Sequence, residues 1–148
     1  MLFRSDKKID VAREQTLLEN HDRIIFQYPL YWYSTPPLLK QWFDEVLTYG
    51  WAFGPGGDRL KGKEIGIAIS TSGTAASYQP GGYNLFTIRD IAKPVEALAN
   101  YVSARYLPPF ALHNAHHVTD EQIADSQAAY VKHLVEAQPV RYEALEIH

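Results

Sequence analysis

Cysteine is absent from the 148 residues, which excludes a disulfide scaffold, cysteine zinc sites and thiol catalysis. No apolar run approaches the roughly 18 residues that a membrane span needs. No basic stripe of five or more residues occurs, and the formal charge of −3 with a pI near 6.0 lacks the footprint of phosphate-backbone binding, so nucleic acid is not an expected partner. Internal repeats, low-complexity tracts and linkers are also missing. No basic-then-apolar leader opens the chain, which sets a cytoplasmic expectation, with a peripheral place at the inner face of a membrane as its variant. What is present is 46% hydrophobic and 13% aromatic residues, with ten tyrosines and three tryptophans. That composition belongs to a globular protein with aromatic surface to spare, and the length suits one domain over residues 1–148.

The pattern along the chain alternates strands with helices. Asp10 caps an expected helix to about Asn20 with Val11, Leu17 and Leu18 as its apolar face. Arg23 to Tyr28 is an apolar, β-branched and aromatic run stopped by Pro29, which suits a buried strand feeding a loop. Ser34-Thr35-Pro36-Pro37 then opens a helix carrying Leu38, Leu39, Trp42, Phe43, Val46 and Leu47 at helical spacing, with an end expected near Gly50. The segment from Trp51 to Asp58 has too many glycines for regular structure and reads as an aromatic loop. Lys63 to Ser70 is a second buried strand, followed by the small polar run Ser70 to Thr74. Thr87 to Val102 is helical, broken at Pro94 unless that proline opens a new segment. Arg105-Tyr106-Leu107 forms a short third strand before Pro108-Pro109. Thr119 to Gln122 starts a last helix to about Ala137, with Ile123, Tyr130, Leu134 and Val135 expected inward. Such alternation predicts an α/β fold with a parallel sheet and flanking helices.

Ligands of open parallel sheets bind beyond the carboxyl ends of the strands. The loops after the first two strands should therefore lie side by side. One, Pro29 to Ser34, offers flat aromatic side chains and backbone amides; the other, Ser70 to Thr74, offers hydroxyls and close backbone approach at Gly73. A planar ring with polar edges fits between them, while core or interface aromatics beside an ordinary turn fit the same residues. Other chemistries find less support. His113, His116 and His117 do not follow the H-E-x-x-H spacing of a zinc helix and read as a solvated loop. No G-x-S-x-G elbow is present, and Gly54 to Asp58 is not a dinucleotide fingerprint. Asp44 and Glu45 sit on the polar face of an amphipathic helix.

Three runs carry a resemblance: FQYPLYWYSTPPLLKQWFDEVLTYGWAFG (26–54), AISTSGTAASYQPGGYN (68–84) and YLPPFALH (106–113). In this order they resemble the bacterial branch of the flavodoxin-like NAD(P)H:quinone oxidoreductases, which includes the ancillary oxidoreductase subunits of glutathione-gated potassium efflux systems. The likeness runs from Ile9 over nearly the whole chain. It implies a flavodoxin-like sheet and a flavin, FMN or FAD, against Leu30, Tyr31, Trp32 and Tyr33 and the loop Ser70, Thr71, Ser72 and Gly73. It further implies NAD(P)H as donor, a quinone or similar small acceptor, and a homodimer. Tyr78 and Tyr83 match positions that stabilise charge developing on the flavin, and Trp51 and Phe53 match a segment that roofs the site from the dimer partner. A membrane potassium-efflux protein is a further partner implied by the same branch.

The match departs from the family in two places. Ser72 stands where the family's T-T-G-G loop has glycine, so its side chain either crowds the ring or points away. Before the point matching Ile9, family members carry a first β-α-β unit with the flavin phosphate loop, about 30 residues or more, where this chain has only residues 1–8. The expectation is a fold lacking that unit, with an apolar sheet edge covered by a partner chain or exchanged strand. The alternative function is a regulatory or interaction subunit, or a cofactor-poor shortened remnant.

Overall fold

A computed structural model describes residues 8–142. The order is α1 (Val11–Glu19), β1 (Arg23–Pro29), α2 (Pro37–Val46), β2 (Glu64–Ser70), a 3-10 turn (Ala75–Ser77), α3 (Ile88–Ile91), α4 (Lys93–Tyr101), β3 (Arg105–Tyr106), β4 (Phe110–Leu112) and α5 (Asp120–Glu136). All strand pairings are parallel, with β2 at the centre of the sheet.

β2 is apolar on both faces, as a doubly covered parallel strand must be, and Ile65, Ile67 and Ile69 are almost wholly buried. A Cβ at Gly66 would stand 3.0 Å from both Ile25 Cδ1 and Leu107 Cβ, so the side chains of the two neighbouring strands close over a gap that only glycine leaves. β1 pairs with β2 along its whole length, Arg23 with Glu64 through Pro29 with Ser70. Its other edge is unpaired among the described residues. Residues 1–7, the stretch before the point where the resemblance begins, lie outside the described residues, and the expected lack of a preceding β-α-β unit falls there.

The third strand, Arg105–Tyr106, is one residue shorter than its expectation, and an unexpected fourth strand follows it. After Arg105–Tyr106 the chain interrupts the ladder at Pro108-Pro109 and resumes beside β2 as β4. Glu64 faces Arg105, a separation of 41 residues, whereas Ala68 faces Phe110, a separation of 42. One extra residue is thus absorbed as a bulge, because the prolines have no N–H for the ladder. The two prolines separate β3 from β4, and both strands pair with β2.

On one side of the sheet α2 buries Leu39, Trp42, Phe43 and Val46. Phe26 meets Trp42 and Phe43 edge to face at 5.3 and 5.0 Å, the geometry aromatic quadrupoles favour. The Trp42 indole donates to Glu14 Oε2 at 2.9 Å. α2 ends at Val46, ahead of the expected Gly50, and the chain turns at once through the Leu47 N–H to Phe43 carbonyl bond. Pro94 does open a new segment: α3 stops at Ile91, and the proline sits in the first turn of α4, where a missing N–H costs nothing.

Two expected apolar faces are thinner than their patterns suggest. Of the α1 face only Leu18 is buried, and Leu17 is 45% exposed. α5 starts at Thr119 with a reciprocal capping box to Gln122, yet none of its residues is buried and Val135 is 73% exposed. A groove of about 370 Å³ separates α5 from the sheet, with Tyr28, Ile69 and Phe110 on its floor and Ile123 and Tyr130 on its helix side. Across it Tyr130 and His133 meet the Phe110 ring at 4.9 and 5.5 Å, and the helix is also held at its carboxyl end. There the Arg23 guanidinium donates to the carbonyls of Leu134 and Ala137 at 2.7 and 3.0 Å while pairing with Glu64 at 2.6 Å, a cation on the orphan carbonyls of a helix terminus.

Candidate active site

The loops after β1 and β2 lie together at the carboxyl end of the sheet because the parallel register carries through to their last residues. The Leu30 N–H donates to the Ser70 carbonyl at 2.9 Å. Between them is a cleft of about 510 Å³ lined by Leu30, Trp32, Tyr33, Ser72, Gly73, Thr74, Ser77, Tyr78, Tyr83 and Asn84. The structure thus brings together most of the residues singled out from the sequence, from segments 30–33, 72–74 and 77–84.

The first wall is a tight turn. Tyr31 and Ser34 exchange backbone hydrogen bonds at 3.0 and 2.9 Å, which leaves Trp32 and Tyr33 at φ of 47° and 60°. Left-handed backbone is costly for residues with a Cβ, and strain of this kind gathers at binding sites. Trp32 is 94% exposed and Tyr33 and Tyr31 about half exposed. The second wall is braced from behind. Thr71 is almost wholly buried, its N–H donating to the Leu112 carbonyl at 2.9 Å and its Oγ1 to the Gly73 carbonyl at 2.9 Å. Gly73 is required by packing: a Cβ there would lie 2.8 Å from Ser77 Oγ and 3.0 Å from Tyr78 Cε2. Ser72 points away from this crowding, its Oγ lying 3.1 Å from His116 Nε2.

A polar chain joins the walls. The Tyr33 phenol donates to Asn84 Oδ1 at 3.0 Å, Asn84 Nδ2 donates to Ser77 Oγ at 3.0 Å, and Ser77 Oγ donates to the Thr74 carbonyl at 2.7 Å. Ser77 and Asn84 lie inside the run 68–84, but nothing in their local spacing gives them a role. Tyr83, its neighbour, is 91% exposed. The expectation of a solvated loop at His113 is corrected. Its Nδ1 lies 3.0 Å from Thr71 Oγ1, its ring meets that of Tyr78 at 5.5 Å, and burial holds its pKa below the ordinary imidazole value. The reason is β4, which carries the chain on past the prolines and delivers His113 beside Thr71. Among the described residues no three potential metal ligands converge.

Trp51 and Phe53 are not part of this cleft. Trp51 donates its indole N–H to Glu19 Oε1 at 2.8 Å, and Phe53 packs on Tyr49 and Tyr101 at 5.8 and 5.5 Å. Phe53 lines a separate cavity of about 270 Å³ with Leu47 and Tyr101.

The donor set suits the polar rim of a flavin ring. The backbone N–H groups of Trp32, Tyr33, Ser72, Gly73 and Thr74 donate to no described residue, and the edge of an isoalloxazine is rich in acceptors. A ring lying on the aromatic wall would satisfy donors that must otherwise be left to water.

Comparison with known proteins places the chain. It belongs to the family described as having the flavodoxin-like fold, whose model matches residues 2–134. It is 57% identical over 129 residues to an uncharacterized NAD(P)H oxidoreductase of Bacillus subtilis, YdeQ, covering 87% of this chain and 66% of that protein. Against the potassium-efflux ancillary protein KefF of Klebsiella aerogenes identity is 40%, with 90% of this chain and 74% of the relative covered. Among solved structures, one described as a thermophilic tryptophan halogenase from Streptomycin violaceusniger superposes with a TM-score of 0.87 at 44% identity, covering 90% and 77% of the two chains. An NADPH-quinone reductase from P. pentosaceus gives 0.83 at 39%, covering 88% and 77%. General stress protein 14 of Treponema denticola, solved with FMN, gives 0.78 at 43%, covering 86% and 74%. The chain therefore spans about two thirds of the length of the Bacillus relative. No helix among the described residues is long and apolar enough to cross a membrane.

Proposed function

We propose that this chain is an NAD(P)H-dependent flavin oxidoreductase, passing two electrons to a quinone or a similar small acceptor. The observation that carries the reading is the set of unpaired backbone donors on two adjacent loops whose residues line one cleft, with aromatic residues on its first wall. The names of the relatives and the FMN complex of one structural neighbour support it. A bound flavin, FMN or FAD, would supply the chemistry, taking hydride from the nicotinamide and returning two electrons to the acceptor in a ping-pong sequence.

In this reading the protein's residues bind, orient and neutralise. Leu30, Tyr31, Trp32 and Tyr33 form the surface on which the ring rests. The amides of Ser72 and Gly73 would hold its polar edge, with Ser70 and Thr71 fixing the backbone beneath them. Tyr78 would supply a phenol donor beside the ring, electrostatic help from a preorganised group. Tyr83 plays the same part from the rim. In a homodimer, Trp51 and Phe53 of a second copy cover the acceptor side. A soluble, cytoplasmic setting fits these substrates.

The test is an absorbance spectrum of the purified protein from about 300 to 550 nm, where bound flavin absorbs, followed by titration with FMN and with FAD. A near-stoichiometric flavin band is the expected result, and Tyr78→Phe should then slow flavin reduction by NAD(P)H about tenfold or more while leaving the fold intact. Protein that takes up neither flavin overturns the reading. That outcome favours the second one, an interaction subunit of a potassium-efflux system, for which the likeness to KefF is the supporting observation.

A further inference from the structure

The Thr71 hydroxyl has one hydrogen, and the Gly73 carbonyl can only accept it. The short contact between Thr71 Oγ1 and His113 Nδ1 must then be made by an Nδ1–H donating to the hydroxyl oxygen. This fixes the tautomer: in the neutral ring Nδ1 carries the proton and Nε2 is bare. The surrounding backbone repeats the same connection. The N–H groups of Asn114 and Ala115 donate to the carbonyls of Gly73 and Thr71, both at 2.9 Å. The ring of Tyr78 lies 5.5 Å from the His113 ring by centroids, and its Cε2 stands 3.0 Å from where a Cβ on Gly73 would be.

We propose that His113 is a positioning residue of the cleft: its Nδ1–H locks the Thr71–Gly73 turn, and its ring sets the orientation of the Tyr78 phenol. The part concerning the turn stands on the ligand-free structure alone; the part concerning electron transfer rests on the flavin reading. His113 touches neither the proposed ring nor the acceptor. It acts through the amides of Ser72 and Gly73 and through Tyr78.

Two substitutions separate the two contacts. His113→Asn keeps an N–H donor of similar reach and removes the aromatic ring, whereas His113→Phe keeps a ring and removes the donor. With FMN as the probe, His113→Phe should weaken binding about tenfold, and His113→Asn should restore most of that affinity. The rate of flavin reduction should remain slow in His113→Asn, because the phenol has lost its neighbour. In a Tyr78→Phe background His113→Asn should slow reduction no further, a coupling that a merely structural role would not produce. Equal slowing in both backgrounds would overturn the action through Tyr78.

A spectroscopic measurement needs no cofactor. Nitrogen NMR of the imidazoles in the ligand-free protein, at about pH 8 where histidine is neutral, should show His113 in the Nδ1–H form. Thr71→Val should release it toward the Nε2–H form usual in solution. An Nε2–H tautomer in the unsubstituted protein would overturn the brace. If the protein takes up no flavin, the oxidoreductase reading falls and the tautomer still decides the brace.

Discussion

The two loops that wall the cleft follow equivalent strands and offer the same backbone donors, yet they are held in opposite ways. The loop after β1 is self-contained: the Tyr31–Ser34 pair closes it, two non-glycine residues accept left-handed backbone, and its aromatic side chains stand in solvent. The loop after β2 has a buried threonine at its base and is gripped by the segment beyond β4 through backbone and side-chain bonds. A planar ligand meets one wall that gives side-chain surface and another that gives fixed amides. Division of labour of this sort keeps the donors preorganised while leaving the apolar wall open to solvent for entry.

The comparison is broken most severely at the braced wall. Gly73→Val forces a side chain against Ser77 Oγ and Tyr78 Cε2 and should destabilise the protein by about 1–3 kcal/mol. Urea unfolding reads the stability, and FMN titration should show binding lost with it. Thr71→Val removes one acceptor and one donor at a buried position, and a loss of about 1–2 kcal/mol is expected from the same unfolding experiment. At the other wall, Trp32→Gly should act in reverse. It relieves left-handed strain at φ 47° and removes almost no buried surface, so stability should rise by up to about 1 kcal/mol while FMN binding weakens. A Trp32→Gly protein less stable than its parent would mean that the indole packs on something after all.

Acidification gives the smallest and most selective contrast. Burial lowers the His113 pKa in the folded state, whereas the unfolded chain protonates near the ordinary value of about 6.5. Below that value the unfolded state binds the additional proton first, so His113 costs stability as pH falls from about 6.5 to its folded pKa and costs none above it. Thermal melting between about pH 7.5 and 5.5 should accordingly show a steeper loss for the parent than for His113→Asn. Equal slopes would place the His113 imidazole in water.

Much of the architecture was readable from local pattern. Asp10 and Thr119 announce their helices because a capping side chain is a neighbour in sequence of the N–H it satisfies, and the apolar run of β2 announces a doubly buried strand. Tyr28 is a buried core residue of β1, its phenol pKa pushed up to about 12 by desolvation. β4 was missed because two prolines resemble the end of a strand, and only a parallel neighbour shows that the ladder restarts one residue later. α5 misled in the opposite sense: its periodicity is real, but burial depends on how closely the sheet approaches it.

The site divides along the same line. Leu30 to Tyr33 and Ser70 to Gly73 were legible because each follows a strand, and a parallel sheet puts such loops at one end. Sequence alone thus determined the alternation of strands and helices, the chemistry of the two loops and the family likeness. Tertiary structure alone decided that Ser77 and Asn84 bridge the walls, that Trp51 and Phe53 stand apart from the cleft, and that His113 reaches Thr71 across 42 residues. Such contacts depend on strand register and on one bulge. No local pattern encodes these, because a hydrogen bond across the sheet is specified only when the strands between its ends have been aligned.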